Sequence, residues 1–121
     1  MTASSLVQVD QQGDLCVVFL NGELDIAVGP QVVNLGRAMI ESTSADRIAV
    51  DMAGVTFMDS SGVAALLALR SAARERDLPF RVVSASRGVC RVLEISGLLS
   101  ALDVVDVHSD AATALPQAAG Q

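Results

Sequence analysis

Between Ile48 and Asp77 a strand, a short loop and a long apolar helix follow one another without a break, and this succession constrains the fold more than any other stretch. Ile48, Val50 and Met52 alternate with Ala49 and Asp51, the pattern of a strand. A short turn leads on to Val55-Thr56-Phe57-Met58-Asp59-Ser60-Ser61-Gly62. From about Ser61 to Asp77, the residues Ala65, Leu66, Leu69, Ala72 and Ala73 recur at helical spacing and form one stripe that can pack on a sheet. Ser60, Ala64, Leu67, Ser71 and Arg74 fall on the opposite side. Two serines and an aspartate therefore stand where a helix begins. There the unpaired backbone N–H groups and the positive end of the helix dipole favour negative charge. Such a place suits a covalent phosphate on serine, although Asp59-Ser60-Ser61-Gly62 alone also reads as an ordinary turn and helix cap.

The remaining elements can be read on either side of this unit. Leu6–Val9 and Leu15–Leu20 are strand-like, and Asp10-Gln11-Gln12-Gly13-Asp14 between them predicts an antiparallel hairpin. The second run is apolar without alternation, as a strand covered on both faces would be. Asn21-Gly22-Glu23-Leu24-Asp25 is expected to end it in a turn. Gly29-Pro30 opens a helix, with Val32, Val33, Gly36, Met39 and Ile40 at helical spacing, to about Ser42. Phe80-Arg81-Val82-Val83 predicts a fourth strand. Ser86 can cap a third helix carrying Val89, Val92 and Leu93 on one face, with Gly97 as its stop signal. Leu102–Val107 predicts a fifth strand, Ser109 or Asp110 the start of a last small helix, and Pro116–Gln121 a loose tail. The result is one α/β domain over residues 1–121, with a mixed sheet of about five strands and about four helices packed against it.

Composition removes several classes of function. The chain is 51% hydrophobic but 2% aromatic, so stacking on nucleic acid bases has little to use. Its net charge is −6, and all eight basic residues are arginine; nucleic acid and anionic membrane are poor partners for that balance. The longest apolar run, Val63–Leu69, is too short to cross a bilayer, and the first residues lack the pattern of a signal peptide. Cys16 and Cys90 lie far apart in apolar segments and read as buried thiols in a reducing cytosol. A serine hydrolase would need a base and an elbow of the Gly-x-Ser-x-Gly kind. Neither that motif nor a phosphate-binding glycine loop nor a metal cluster occurs, so no catalysis and no cofactor are expected. Arg91 and Glu94 read as a solvated helix face, and His108 is assigned no chemistry.

Three separated motifs carry a resemblance. They are Asn21-Gly22-Glu23-Leu24-Asp25, then Val50-Asp51 through Phe57-Met58-Asp59-Ser60-Ser61-Gly62, and Val89-Cys90-Arg91-Val92-Leu93-Glu94-Ile95-Ser96-Gly97-Leu98. In this order and spacing the chain resembles the STAS-domain anti-sigma factor antagonists of bacteria, over roughly Leu6 to Leu115. The resemblance implies a partner-switching cycle in the cytoplasm. The unphosphorylated protein would bind an anti-sigma factor that is also an ATP-dependent serine kinase, freeing a sigma factor. Phosphorylation would break the complex, and a PP2C-type phosphatase would restore it. The family's accepting serine directly follows the aspartate, which here is Ser60. Asp25, Asp59 and Ser61 fall in the same loops, and Val63-Ala64 stand where relatives often carry Leu-Gly.

Ala64 and Leu67, behind Ser60 on the outward side of the helix, are expected to form an apolar contact patch for the kinase. Partner-binding residues are accordingly Asp25, Asp59, Ser61, Ala64 and Leu67. Two other roles fit the same family: a structural STAS subunit of a membrane lipid-transport ATPase complex, and a stressosome-like scaffold protein. A serine kept after Asp59 in a solitary domain favours the regulator.

Overall fold

A computed structural model describes residues 6–98, 100–102 and 104 of the 121-residue chain. The elements run β1 (Val7–Gln12), β2 (Leu15–Leu24), α1 (Gly29–Ser42), β3 (Arg47–Met58), α2 (Ser60–Glu75), β4 (Phe80–Val83) and α3 (Arg87–Ile95). The sheet order is β1-β2-β3-β4, antiparallel for the first pair and parallel for the other two. This is the mixed α/β architecture expected from the sequence. Val104 adds one parallel bridge to Val82 at the outer side of β4. Leu102, expected to open the fifth strand, lies instead in a turn, its N–H donating to the Leu98 carbonyl at 3.0 Å. The other residues of that strand, the last helix and the tail lie outside the described residues.

The opening hairpin is tighter than expected. Asp10, Gln11 and Gln12 belong to β1, Gln12 pairs with Leu15, and Gly13-Asp14 alone make the turn. Gly13 has φ +64°, a conformation that glycine adopts without a Cβ clash.

Two expected turns are instead irregularities inside longer strands. β2 continues through Asn21-Gly22 to Leu24, and β3 continues from Asp51 through Met58, because each strand completes the other's hydrogen bonding. The pairing passes from Phe19↔Asp51 to Asn21↔Gly54, and from Gly22↔Val55 to Glu23↔Phe57. At each step β3 carries one residue more than β2, the signature of a bulge. The Ala53 N–H donates to Asp51 Oδ1 at 2.8 Å across the first shift, and Gly22 has φ +90° at the second. The bulged ends carry β2 and β3 side by side up to Leu24↔Met58, immediately before Asp25 and Asp59.

Side chains alternate cleanly across the sheet. Cys16, Val18, Leu20, Ile48, Val50, Met52 and Val82 point into a core shared with all three helices. That sharing follows from right-handed crossovers in one direction along the sheet, which put α1, α2 and α3 on the same side. The helix α2 stripe is buried as its spacing predicts: Ala65, Leu66, Leu69, Ala72 and Ala73 are each at most 2% exposed. α1 reaches α2 closely at Gly36, where a Cβ would press on the side chain of Leu69. Arg76, just beyond α2, donates through Nη1 to the Ile40 and Thr43 carbonyls at 2.8 Å each, so that it closes the C-terminal end of α1. Ser86 caps α3 by accepting the Val89 N–H at 3.2 Å, and Gly97 follows it with φ +74°.

Both cysteines are free thiols. Cys16 is fully buried, whereas Cys90 is half-buried rather than enclosed, since α3 turns part of its flank to solvent.

Candidate functional site

The site forms where the ends of β2 and β3 deliver two short loops to the starts of α1 and α2. Asp59 is the N-cap of α2, in extended conformation with φ −115° and ψ −165°. Its Oδ1 accepts the Ser61 N–H at 2.8 Å, and its carbonyl accepts the Val63 N–H at 3.2 Å. Its own N–H donates to the Leu24 carbonyl at 3.3 Å, so the cap is fastened to the neighbouring strand. Ser60 is thereby the first residue of the helix, and its side chain is exposed. An exposed hydroxyl at this position is accessible to a modifying enzyme. Negative charge added to it would lie at the favourable end of the helix dipole.

Asp25 organises the other loop in the same way. Its Oδ1 accepts the Ala27 N–H at 3.0 Å, and its carbonyl accepts the N–H groups of Val28 and Gly29 at 3.2 and 2.9 Å. The resulting turn starts α1 and seats Gly29 against Ser61, where a Cβ would come 3.5 Å from the Ser61 carbonyl oxygen. Gly62 supports the arrangement from below. A Cβ there would run into the Met58 side chain and approach the Leu24 carbonyl oxygen to 2.8 Å. Glycine at 62 is what lets the first turn of α2 lie this close to the sheet.

An apolar hollow of about 280 Å³ opens beside these loops. Ile26, Pro30 and Val33 line it from the α1 side, Ser61, Ala64 and Ala65 from α2. Ile26 is 78% exposed at its rim, and Phe57, at the end of β3, is 50% exposed. The ion pairs of Arg37 with Glu41 and Glu75, and of Arg47 with Asp14, lie away from these loops. The site is thus an exposed serine with an acidic border and an apolar floor beside it.

The structure brings Asp59, Ser60, Ser61 and Ala64 together, with Asp25 in the adjoining loop. Leu67 stands apart: it is half-buried, packs against the main core and is not part of the hollow's wall. Sequence reasoning missed Ile26, Pro30 and Val33 as neighbours of the serine. A signal existed in Ile26-Ala27-Val28, an apolar triplet in a loop between an aspartate and Gly29-Pro30, where solvated residues would be the norm. Among the described residues no group of three His, Cys, Asp or Glu side chains is placed to hold a metal ion.

Fold and motifs together define a class, and the chain belongs to the STAS domain family: the family model described as "Mlab, STAS domain" matches residues 7–119. Particular relatives are antagonists of anti-sigma factors. The anti-sigma F factor antagonist of Paenibacillus polymyxa is 25% identical over 109 residues, which is 90% of this chain and 93% of that one. The anti-sigma factor antagonist SpoIIAA in its unphosphorylated form superposes with a TM-score of 0.74 at 22% identity, covering 95% of this chain and 97% of that one. The Bacillus cell fate determinant SpoIIAA in its phosphorylated form gives 0.68 at 21% identity, with 93% and 98% covered. These two likenesses establish the fold.

Proposed function

We propose that the chain is an anti-sigma factor antagonist, a regulatory binding protein and not an enzyme, in which Ser60 accepts the phosphate. The observation that carries this reading is the exposed Ser60 at the capped start of α2, next to an apolar hollow. A relative named for the same role along nearly the whole chain supports it. The unmodified protein binds an anti-sigma factor that is a serine kinase, through Asp25, Asp59, Ser61, Ala64 and Leu67. ATP-dependent phosphorylation of Ser60 breaks the complex, and a PP2C-type phosphatase reverses it. Neither nucleic acid nor membrane takes part, and the cycle runs in the cytoplasm. No helix among the described residues is long and apolar enough to cross a membrane.

The switch follows from electrostatics. A phosphoserine brings about −1.5 to −2 charges into a border that already holds Asp59 and Asp25. The helix N-terminus tolerates that charge, so the fold persists. A partner surface complementary to a neutral hydroxyl and an apolar floor would have to desolvate a dianion. A loss of about 3 kcal/mol already weakens binding roughly a hundredfold.

The test is incubation of the purified protein with candidate anti-sigma kinases and ATP, with the modified residue mapped by mass spectrometry. Phosphate on Ser60, absent in Ser60→Ala, is the expected result. Phosphate that persists in Ser60→Ala and disappears in Ser61→Ala would move the switch by one residue.

A second reading follows from the matched family model, which is described as Mlab and not as an antagonist. It is a structural STAS subunit of a membrane lipid-transport ATPase complex. Co-purification with an ATP-binding membrane transporter, with Ser60 unmodified, distinguishes it.

A further inference from the structure

β1 is an edge of the sheet: it pairs along its whole length with β2, and among the described residues no strand pairs with its other side. Gln8, Val9, Asp10, Gln11 and Gln12 are all exposed. Edge strands that stay single are commonly blunted by proline, by a bulge or by charges, above all lysine. The run from Val7 to Gln12 has no proline and no break in register, and Asp10 is its single charge. The Asn21 N–H donates to the Leu6 carbonyl at 3.0 Å, which fixes the phase of the ladder. Bonding alternates along an antiparallel pair, so the even residues face β2, and Val7, Val9 and Gln11 turn their backbone N–H and C=O groups to the open edge. Beside that edge, on the α1 side, lies a hollow of about 270 Å³ walled by Val9, Gln11, Met39, Ser42, Thr43 and Ser44. Val9 is 47% exposed there.

We infer that this edge docks a second copy of the chain, the two β1 strands pairing antiparallel about a two-fold axis at Val9. A copy is favoured because the strand is complementary to itself in one register. With Val9 opposite its counterpart, Val7 meets Gln11, and each of these facing pairs can exchange two backbone hydrogen bonds. On the other side of the strands Gln8 then meets Asp10, an amide against a carboxylate. Asp10 already accepts the Gln12 Nε2 at 2.9 Å, so its carboxylate is held on that side. Moving the axis to Asp10 would oppose two carboxylates, and moving it to Gln8 would put Asp10 against apolar Leu6. In the Val9 register the two exposed valines cover each other between the two hollows. The paired strands include none of the residues around Ser60, so the inference stands apart from the proposed switch.

Sedimentation equilibrium of the full chain, without kinase or ATP, tests this at concentrations up to about 1 mM, the range suited to a small interface. The wild type is expected to be a monomer in equilibrium with a dimer. Val9→Pro removes an N–H that β2 does not use, a change that an edge strand tolerates. It should abolish the dimer and leave the melting temperature of the dilute chain close to that of the wild type. Gln8→Lys sets an ammonium against Asp10 twice by symmetry and should tighten the dimer about threefold or more, whereas Gln8→Asp should weaken it by a similar factor. Gln31→Lys, exposed on α1, adds the same charge elsewhere and should change dimerisation little. A wild type that stays monomeric throughout overturns the inference, and so does a dimer that persists in folded Val9→Pro. If Val9→Pro fails to fold, the two Gln8 variants decide: a dimer that both weaken, or that neither changes, is not paired about Val9, and the inference falls.

Discussion

Ser61 donates its backbone N–H to Oδ1 of Asp59 at 2.8 Å, so the residues flanking Ser60 are bonded to each other across it. This one bond orders the start of α2 and turns the Asp59 carboxylate toward the helix N-terminus, where a phosphate on Ser60 would also lie. The cap and the switch thus share one helix end. Asp59→Ala is expected to lower stability by about 1 kcal/mol, and Asp59→Asn by less, since an asparagine oxygen can still accept the bond. In a domain of this size the alanine variant should melt about 4 °C lower. Equal melting temperatures for Asp59→Ala and the wild type would show that the cap contributes nothing.

Phosphorylation of Ser60 is expected to weaken kinase binding by about a hundredfold, a loss of about 3 kcal/mol. Ser60→Ala should bind like the unmodified protein and should not be released on addition of ATP. Calorimetric titration of both forms with the kinase measures this. If ATP still dissociates the Ser60→Ala complex, the switch lies elsewhere.

The sequence makes the core of this site legible and leaves its surroundings obscure, for definite physical reasons. Asp59 as cap, Ser60 exposed and the buried stripe from Ala65 to Ala73 follow from local periodicity and capping chemistry, which neighbours rarely override. Asn21-Gly22 and Ala53-Gly54 read as turns because glycine and asparagine favour them, but strand pairing between β2 and β3 absorbs both as bulges. Such pairing is non-local and leaves no periodic trace. The wall of the hollow was hidden for the same reason, since Ile26 and Val33 meet Ala64 only once α1 lies beside α2. Leu67 shows the limit of a helical wheel. It sits opposite the core stripe at ideal spacing, yet a long side chain there still reaches the core edge.

Gly62→Ala should be costly, because the added methyl meets the Leu24 carbonyl oxygen at 2.8 Å and the Leu24 Cβ at 3.0 Å, and neither can move without the sheet. Overpacking of this kind costs about 1–3 kcal/mol. Gly88→Ala is the control: in α3 its methyl would meet nothing nearer than the Ser86 Oγ at 3.9 Å, and removing a helical glycine gains up to about 1 kcal/mol. Denaturant midpoints should therefore move in opposite directions. A stabilised Gly62→Ala would mean that α2 does not press on the sheet at this point.

Ala64 offers a cleaner probe of the contact surface than Leu67. It is exposed, lines the hollow, and tolerates glutamate in a helix at little cost. Ala64→Glu is expected to leave the melting temperature within a degree or two and to reduce kinase affinity at least about tenfold, or about 1.4 kcal/mol. Leu67→Glu should lose stability as well, since Leu67 packs partly on the core. Unchanged binding by folded Ala64→Glu would remove the hollow from the interface.

Alkaline pH should destabilise the fold through its two thiols. Burial raises the pKa of Cys16 above its ordinary value, partly opposed by a hydrogen bond with Thr43; burial also raises Cys90, and the nearby Glu94 carboxylate adds to it. A thiol with a raised pKa keeps its proton in the folded state while the unfolded chain has begun to lose it. The unfolded state then binds fewer protons, so stability falls as pH rises. The full contribution is present below the unfolded value, near pH 8.5, and is lost as pH climbs through the folded values. The chain contains neither lysine nor tyrosine, so over this range these thiols are the side chains that titrate. Urea midpoints are expected to be flat from about pH 7.5 to 8.5 and to decline above that. In the double variant Cys16→Ala, Cys90→Ala the decline should vanish, even if overall stability is lower. Iodoacetamide should modify half-buried Cys90 before fully buried Cys16. A decline that persists in the double variant would place its origin outside the thiols.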